Sequence, residues 1–270
     1  MELDIKLDPQ TRHVHLPVHI NDKGPYYFTL DTGAVATTVT PKLLEICEIE
    51  SYENGLPDIK KPNIPHKYAK LPKLTIGSIT TEHEEVMVTD LKALLRGCAG
   101  DLHSVLGHTT LRNYVMTLNY KTLKFKLEKE INNPDLDWMP FSYLKRTHLI
   151  TIPITINGEG PYPFVLDTGA GGTVVTFEFA EKLGLKPTDG MMVKAKGIGG
   201  ESDAFMSFVD EFASSNFKLG NFRLIAMDLD KASKRPGIIK YGVLGYNFLQ
   251  NFELIIDYPN KLLALIPLEI

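Results

Sequence analysis

The stretch PVHINDKGPYYFTLDTGAVATTVT, residues 17–40, returns as PITINGEGPYPFVLDTGAGGTVVT at residues 153–176. The two align without a gap, and 15 of the 24 positions are identical, the tetrad Asp-Thr-Gly-Ala among them. A second echo closes each half: SVLGHTTLRNYVMTLNY from Ser104 against GVLGYNFLQNFELIIDY from Gly242, pairing Gly107 with Gly245 and Tyr120 with Tyr258. A repeat carrying both an opening and a closing motif is a complete structural unit. The chain therefore divides into two similar lobes, 1–128 and 148–270, joined by a charged, proline-bearing linker, 129–147.

Each repeat reads as β. Val14, Leu16, Val18 and Ile20 alternate with polar residues, as do Ile150, Ile152, Ile154 and Ile156, the period of a half-buried strand. Leu3, Ile5 and Leu7 predict a further strand. Asn21-Asp22-Lys23-Gly24 and Asn157-Gly158-Glu159-Gly160 are turn sequences that open a hairpin in each lobe. Helical signal is confined to PKLLEI after Thr40, with Pro41 at the first position, and FEFAEKLG, closed by Gly184. Many short strands with frequent turns predict an all-β fold of two small barrel lobes related by a pseudo-twofold axis.

Composition narrows the function. The 29 Lys and Arg against 33 Asp and Glu give a net charge of −4 with no basic stripe, so no nucleic-acid partner is expected. No apolar run has the length of a membrane span, and the N-terminus MELDIKLDPQ lacks the pattern of a secretory signal; the expectation is a soluble, cytoplasmic protein. Cys47 and Cys98 are too few for a disulfide framework and read as reduced, buried thiols, with a single bridge within the first lobe as the alternative. His13, His15 and His19 share a parity, but the second repeat has Leu149, Thr151 and Thr155 there, so a solvated strand face is preferred to a metal site. His108, beside the Gly107 turn, reads as packing or surface, and Trp138 as a cover over the lobe junction. No metal or cofactor is called for.

Asp-Thr-Gly alone is a common turn sequence. Two copies, each following an apolar strand at the same place in a repeat, point to chemistry. A twofold axis between the lobes would bring Asp31 and Asp167 face to face, where the two carboxyls share one proton. The ionised member takes a proton from water, and the protonated one donates to a substrate carbonyl. Gly33 and Gly169 let the backbone approach closely and present N–H groups. Thr32 and Thr168 are placed to hydrogen-bond across the axis and lock the two loops. Ala34 and Ala170 follow the glycines.

These motifs resemble those of the retropepsin-like aspartic peptidases, and the chain looks like two retropepsin-sized units fused, similar to aspartyl proteases of bacterial type. The resemblance covers nearly the whole chain. It implies that Asp31 and Asp167 are catalytic, that Thr32 and Thr168 interlock, and that Val105-Leu106-Gly107 and Val243-Leu244-Gly245 support the catalytic loops from behind. It also implies that Gly197-Ile198-Gly199-Gly200 is the tip of a flap that closes over the substrate. The first lobe departs from this pattern: the segment set against the flap, 58–74, carries Pro62, Pro65 and Pro72 but no glycine tip. An alanine after each glycine leaves no hydroxyl to favour the ionised dyad, which predicts a pH optimum nearer neutral than gastric. The expected activity is a monomeric aspartic endopeptidase acting on a peptide or unfolded protein segment. Two alternatives stay open: a catalytically weak peptide-binding module, and an assembly in which lobes of two chains pair.

Overall fold

The computed structural model describes residues 1–54, 66–91, 104–133, 135–197, 200–233 and 237–268. Six strands close on themselves in the first lobe: β1 (Val14–Ile20), β2 (Lys23–Leu30), β3 (Thr38–Val39), β4 (His66–Ile76), β5 (Ile79–Val88) and β6 (Ser104–Leu106). Their order is β1-β2-β6-β3-β5-β4, and pairing of His19 with Thr75 and Ile20 with Leu74 brings β4 back to β1. The second lobe repeats the ring with β7 (Ile150–Ile156), β8 (Glu159–Leu166), β9 (Val174–Thr176), β10 (Gly200–Ser214), β11 (Phe217–Met227) and β12 (Gly242–Leu244), closed by Thr155 against Ala213. The architecture is all-β, two barrels with few and short helices.

The alternation read from sequence builds each barrel interior. Leu16, Val18, Ile20, Phe28 and Leu30 are fully buried in one, and Ile150, Ile152, Ile154, Phe164 and Leu166 in the other. The opening hairpins turn through Asn21-Asp22 and Asn157-Gly158, all four at positive φ, the backbone of the tight turns that match strand twist. Thr40 caps the helix Pro41–Cys47 by accepting from the Leu43 N–H, and Thr176 does the same for Phe177–Lys182 through the Phe179 N–H.

A six-stranded antiparallel sheet joins the lobes, in the order Leu3–Asp4, Lys124–Glu128, Val115–Asn119, Phe252–Asp257, Leu262–Pro267, Met139–Pro140. At its centre a first-lobe strand pairs with a second-lobe strand, and Thr117 lies opposite Ile255. These are repeat equivalents, separated by the same 138 positions as Gly107 and Gly245, so the pseudo-twofold axis passes through this pair. Trp138, with Ile131 and Leu136, packs on a buried patch of the sheet formed by Val115, Ile255 and Ala264.

Four expectations are revised. The predicted strand over Leu3–Leu7 splits into two pieces: Leu3–Asp4 pairs with Lys124–Phe125 in the shared sheet, and Lys6–Leu7 with Val14–His15. The stretch 129–147 is more than a tether, since Met139 and Phe141 are buried and Met139–Pro140 adds a strand. The His13/His15/His19 face is not wholly solvated: His15 is 6% exposed, its Nδ1 sits 3.1 Å from Thr29 Oγ1, and His19 pairs with Thr75 where the barrel closes. Finally, the counterpart of the flap begins ahead of 58–74, whose residues 66–69 form its returning strand. Ser51–Asn54 pairs with His66–Ala69 in the first lobe just as Val193–Gly197 pairs with Gly200–Ala204 in the second. Both lobes thus carry a hairpin arm here; the joining residues 55–65, with Pro62 and Pro65, fall outside the described residues, and Pro72 lies within β4. Cys47 is buried and unbridged, and Cys98 lies outside the described residues.

Candidate active site

β2 runs directly into Asp31 and β8 into Asp167. Each strand lies parallel to the short strand of the closing motif, and that pairing continues one residue further: the Asp31 N–H donates to the Leu106 carbonyl and the Asp167 N–H to the Leu244 carbonyl, both at 3.1 Å. The chain then turns back on itself, Ala34 N–H to Asp31 carbonyl and Ala170 N–H to Asp167 carbonyl, both 3.2 Å. The glycines of the closing motifs press on these turns from behind. A Cβ on Gly107 would lie 2.5 Å from the Ala36 carbonyl oxygen, and one on Gly245 would lie 2.3 Å from that of Gly172. Their N–H groups donate to Thr37 Oγ1 and Thr173 Oγ1 at 3.1 and 3.3 Å.

The two loops meet across the axis through four hydrogen bonds. The Thr32 N–H donates to Thr168 Oγ1 and the Thr168 N–H to Thr32 Oγ1, each at 3.1 Å. The hydroxyls in turn donate to the opposite strands, Thr32 Oγ1 to the Leu166 carbonyl at 3.0 Å and Thr168 Oγ1 to the Leu30 carbonyl at 2.9 Å. Both threonines are 1% exposed, so each of these groups would be stranded without its partner.

This lock sets the aspartates against each other. The carboxyls stand close enough to share a hydrogen bond when one of them carries the proton. The remaining acceptor capacity is met by the loops: Ala34 N–H to Asp31 Oδ1 and Gly169 N–H to Asp167 Oδ1, both 2.8 Å. Gly33 and Gly169 are where the opposing carboxyl fits. A Cβ on Gly33 would stand 2.7 Å from Asp167 Oδ2, and one on Gly169 would stand 2.7 Å from Asp31 Cγ. Burial raises the Asp31 pKa, opposed by the hydrogen bond from Asp167 and by backbone N–H groups. Burial and then the Asp31 charge push Asp167 up to about 8. The pair as a unit thus keeps a proton up to neutral pH.

Several contributors escape sequence reasoning. His148 Nε2 lies 3.0 Å from the Gly33 carbonyl oxygen, so the start of the second lobe braces the first-lobe loop. The reciprocal contact is made by Thr11, whose carbonyl oxygen would be 2.6 Å from a Cβ on Gly171. Tyr120 and Tyr258 are buried near the dyad, and their hydroxyls have no hydrogen-bond partner among the described residues. Burial is the main cause, and the dyad's charge a lesser one, that raises both phenols out of the titrating range. The repeat alignment had marked them as equivalents without giving a reason. His108 packs edge-on to Tyr258 and Tyr143 and close to His148; burial lowers its pKa to about 4, so it stays neutral. Of the flap residues, Gly197 and Gly200 pair across the hairpin, and Ile198 and Gly199 lie outside the described residues.

A family model described as aspartyl protease matches residues 152–248, most of the second lobe with its Asp-Thr-Gly-Ala tetrad and its closing Val-Leu-Gly. Among solved structures, the chain is similar to conglutin gamma, a basic 7S globulin from lupine seeds, with a TM-score of 0.57 and 13% identity, over 100% of this chain and 95% of that one. The basic 7S globulin of soybean is similar with a TM-score of 0.54 and 11% identity, over 98% and 93% of the two chains. The chain adopts a two-lobed retropepsin-like fold. No curated protein sequence matches it. At these identities the likeness to the globulins shows a shared fold alone. No helix among the described residues is long and apolar enough to cross a membrane, and no described group of His, Cys, Asp or Glu is arranged to hold a metal.

Proposed function

We propose that this retropepsin-like protein is an aspartic endopeptidase that hydrolyses peptide bonds with a water activated between Asp31 and Asp167. The observation that carries the reading is the threonine lock, which sets each carboxyl against the glycine of the opposite loop and so against the other carboxyl. A pure binder gains nothing from holding two acids in contact, because the arrangement costs stability whenever both would ionise.

In the reaction, ionised Asp31 takes a proton from a water bound between the carboxyls, and protonated Asp167 donates to the substrate carbonyl oxygen. Water oxygen attacks the carbonyl carbon, giving a neutral gem-diol. Its collapse returns a proton to the leaving amine and breaks the C–N bond, and the dyad regains its single shared proton. No covalent acyl-enzyme forms. The hairpin arm Val193–Gly197 with Gly200–Ala204 would hold an extended peptide by strand-like hydrogen bonds. Both aspartates belong to one chain, so a monomer suffices. The buried, unbridged Cys47 fits a reducing, cytoplasmic compartment.

The test is incubation with a diverse peptide library, with and without pepstatin, alongside Asp31→Asn and Asp167→Asn. Cleavage should require both aspartates and be blocked by pepstatin; cleavage that survives either substitution refutes the assignment. The second reading, a peptide-binding module with weak turnover, draws on the naming of both structural neighbours as globulins. Under it no cleavage is seen, and Asp31→Asn retains the ligand.

A further inference from the structure

Of the ten large apolar side chains that stand exposed among the described residues, five lie close together in the second lobe: Met191, Met192, Val193, Met206 and Phe208. Scattered singly, such residues need no explanation; gathered in one place they mark an interaction surface. The strand register sets four of them on one face. Successive residues of a strand alternate sides, and directly opposite residues share a side. Ala204, Met206 and Phe208 therefore lie on one side of β10, and Val193, opposite Ala204, lies there too. Met191, two positions earlier and in extended backbone, continues that side. These four side chains are 39–61% exposed, so the face is open to solvent.

The face leads toward the dyad. Met206 lies opposite Ile225 of β11, and Ile225 beside Val174 of β9. Ile225, Val174 and Ala204 belong to a cluster that also takes in Ala195 of the hairpin arm and Ala170 of the tetrad. An apolar path thus runs from the loop that carries Asp167, through Val174 and Ile225, out to Met206 and Phe208.

The duplication supplies an internal comparison. Thr38 pairs with Met87 as Val174 pairs with Ile225, and Met87 lies opposite Tyr68 as Ile225 lies opposite Met206. Two positions on, Lys70 opposite Glu85 stands where the second lobe has Phe208 opposite Arg223. Tyr52, opposite Tyr68, stands where Met191 continues the second-lobe face. Its ring lies 6.4 Å from that of Tyr68, and its hydroxyl donates to Glu85 at 2.6 Å. The same barrel face is therefore polar and bonded within itself in one lobe, and apolar and bare in the other. The fold does not demand the apolar version.

We infer that this face docks an extended, apolar segment of the substrate outside the residues at the cut, so that the protein acts on unfolded chains with hydrophobic stretches exposed. The inference rests on the peptidase reading for the cut, and on register and exposure for the surface. Two features fit an extended chain. The arm strand Val193–Gly197 is the last in its sheet among the described residues, and such an edge accepts a further strand through its backbone. Methionine, unbranched and polarisable, packs against apolar side chains of varied shape, as a surface serving many sequences must.

The experiment takes a short peptide cleaved in the library assay and extends it, at one end or the other, by a segment in which either Val or Asn alternates with Ser. The Val-bearing extension should lower KM at least about tenfold at one end only, roughly the worth of burying one Val-sized side chain, with kcat unchanged. Met206→Thr/Phe208→Lys should remove that gain and leave turnover of the unextended peptide as it was. Phe208→Lys alone removes part of the gain if the double variant does not fold. A gain that is absent, or that survives these substitutions, overturns the inference and leaves the peptidase reading standing. In parallel, fluorescein-labelled Val- and Asn-bearing segments are titrated by anisotropy against Asp31→Asn, with and without Met206→Thr/Phe208→Lys. A preference for the Val-bearing segment that the two substitutions abolish, without wild-type cleavage of any peptide, overturns the peptidase reading and leaves the docking surface standing. Neither cleavage nor binding overturns both. Sedimentation equilibrium of the wild-type protein completes the test: a dimer that Phe208→Lys dissociates assigns the face to a second copy of the chain and overturns the inference.

Discussion

Replacing Thr32 by Val tests the lock between the lobes. The substitution keeps the shape of the side chain and removes one hydroxyl. That hydroxyl donates to the Leu166 carbonyl and accepts from the Thr168 N–H in a region closed to solvent. Each backbone group left unpaired there costs about 1–3 kcal/mol, so Thr32→Val should lose ~2–6 kcal/mol. The stranded groups are different for Thr168→Val, namely the Leu30 carbonyl and the Thr32 N–H. The two losses share no atom, and their sum rivals the whole stability of a typical domain, about 5–15 kcal/mol. Thr32→Ser retains the hydroxyl and should cost no more than about 1 kcal/mol, the worth of one methyl. Urea unfolding followed by the fluorescence of Trp138, the single tryptophan and one packed on the shared sheet, reads the effect at the lobe junction. A Thr32→Val protein within ~0.5 kcal/mol of wild type, or a Thr32→Ser protein as unstable as Thr32→Val, would show that the hydroxyl does not tie the loops.

Three further outcomes follow from the dyad. Because the Asp167 pKa is raised in the folded protein to about 8 from 3.8, the folded state binds more protons than the unfolded one between those values; the dyad's relative stability is full below pH ~4 and lost as pH rises toward 8. Asp167→Asn should flatten that slope in urea unfolding measured across the range, and an unchanged slope would place its origin elsewhere. The same shared proton, with Ala34 and Ala170 lacking a hydroxyl, sets a cleavage optimum above the usual aspartate range, and a pH–rate profile peaking below about 3.5 would contradict it. Gly169→Ala would set a methyl 2.7 Å from Asp31 Cγ; activity should fall at least about a hundredfold through a displaced dyad, and normal turnover would show that the carboxyls do not need this approach.

Much of this was legible in sequence because the duplication supplied two readings of every element. The alternation in β1 and β7, the turn pairs Asn21-Asp22 and Asn157-Gly158, and the caps Thr40 and Thr176 are local signals, each fixed by a few neighbouring residues. Asp31, Asp167, Thr32 and Thr168 stood out because each recurs at one offset. What escaped depends on long-range pairing. His148 meets Gly33 across 115 positions, and no local pattern announces such a contact. The outgoing strand of the first-lobe hairpin, Ser51–Asn54, carries no local signal, and its position follows only from pairing with β4. His15 looked solvated by analogy with Thr151, yet it is enclosed by packing against Thr29 that only the fold provides.

The central pairing of Val115–Asn119 with Phe252–Asp257 also governs when the molecule can acquire its chemistry. On a ribosome, Asp31 emerges early, with the six ring strands of the first barrel, all of which lie ahead of Gly107. Its counterpart, and the strand that clamps the halves in register, are made more than a hundred residues later. Until then one acid stands alone within the chain, and the pair of carboxyls on which the proposed cleavage depends is not yet assembled.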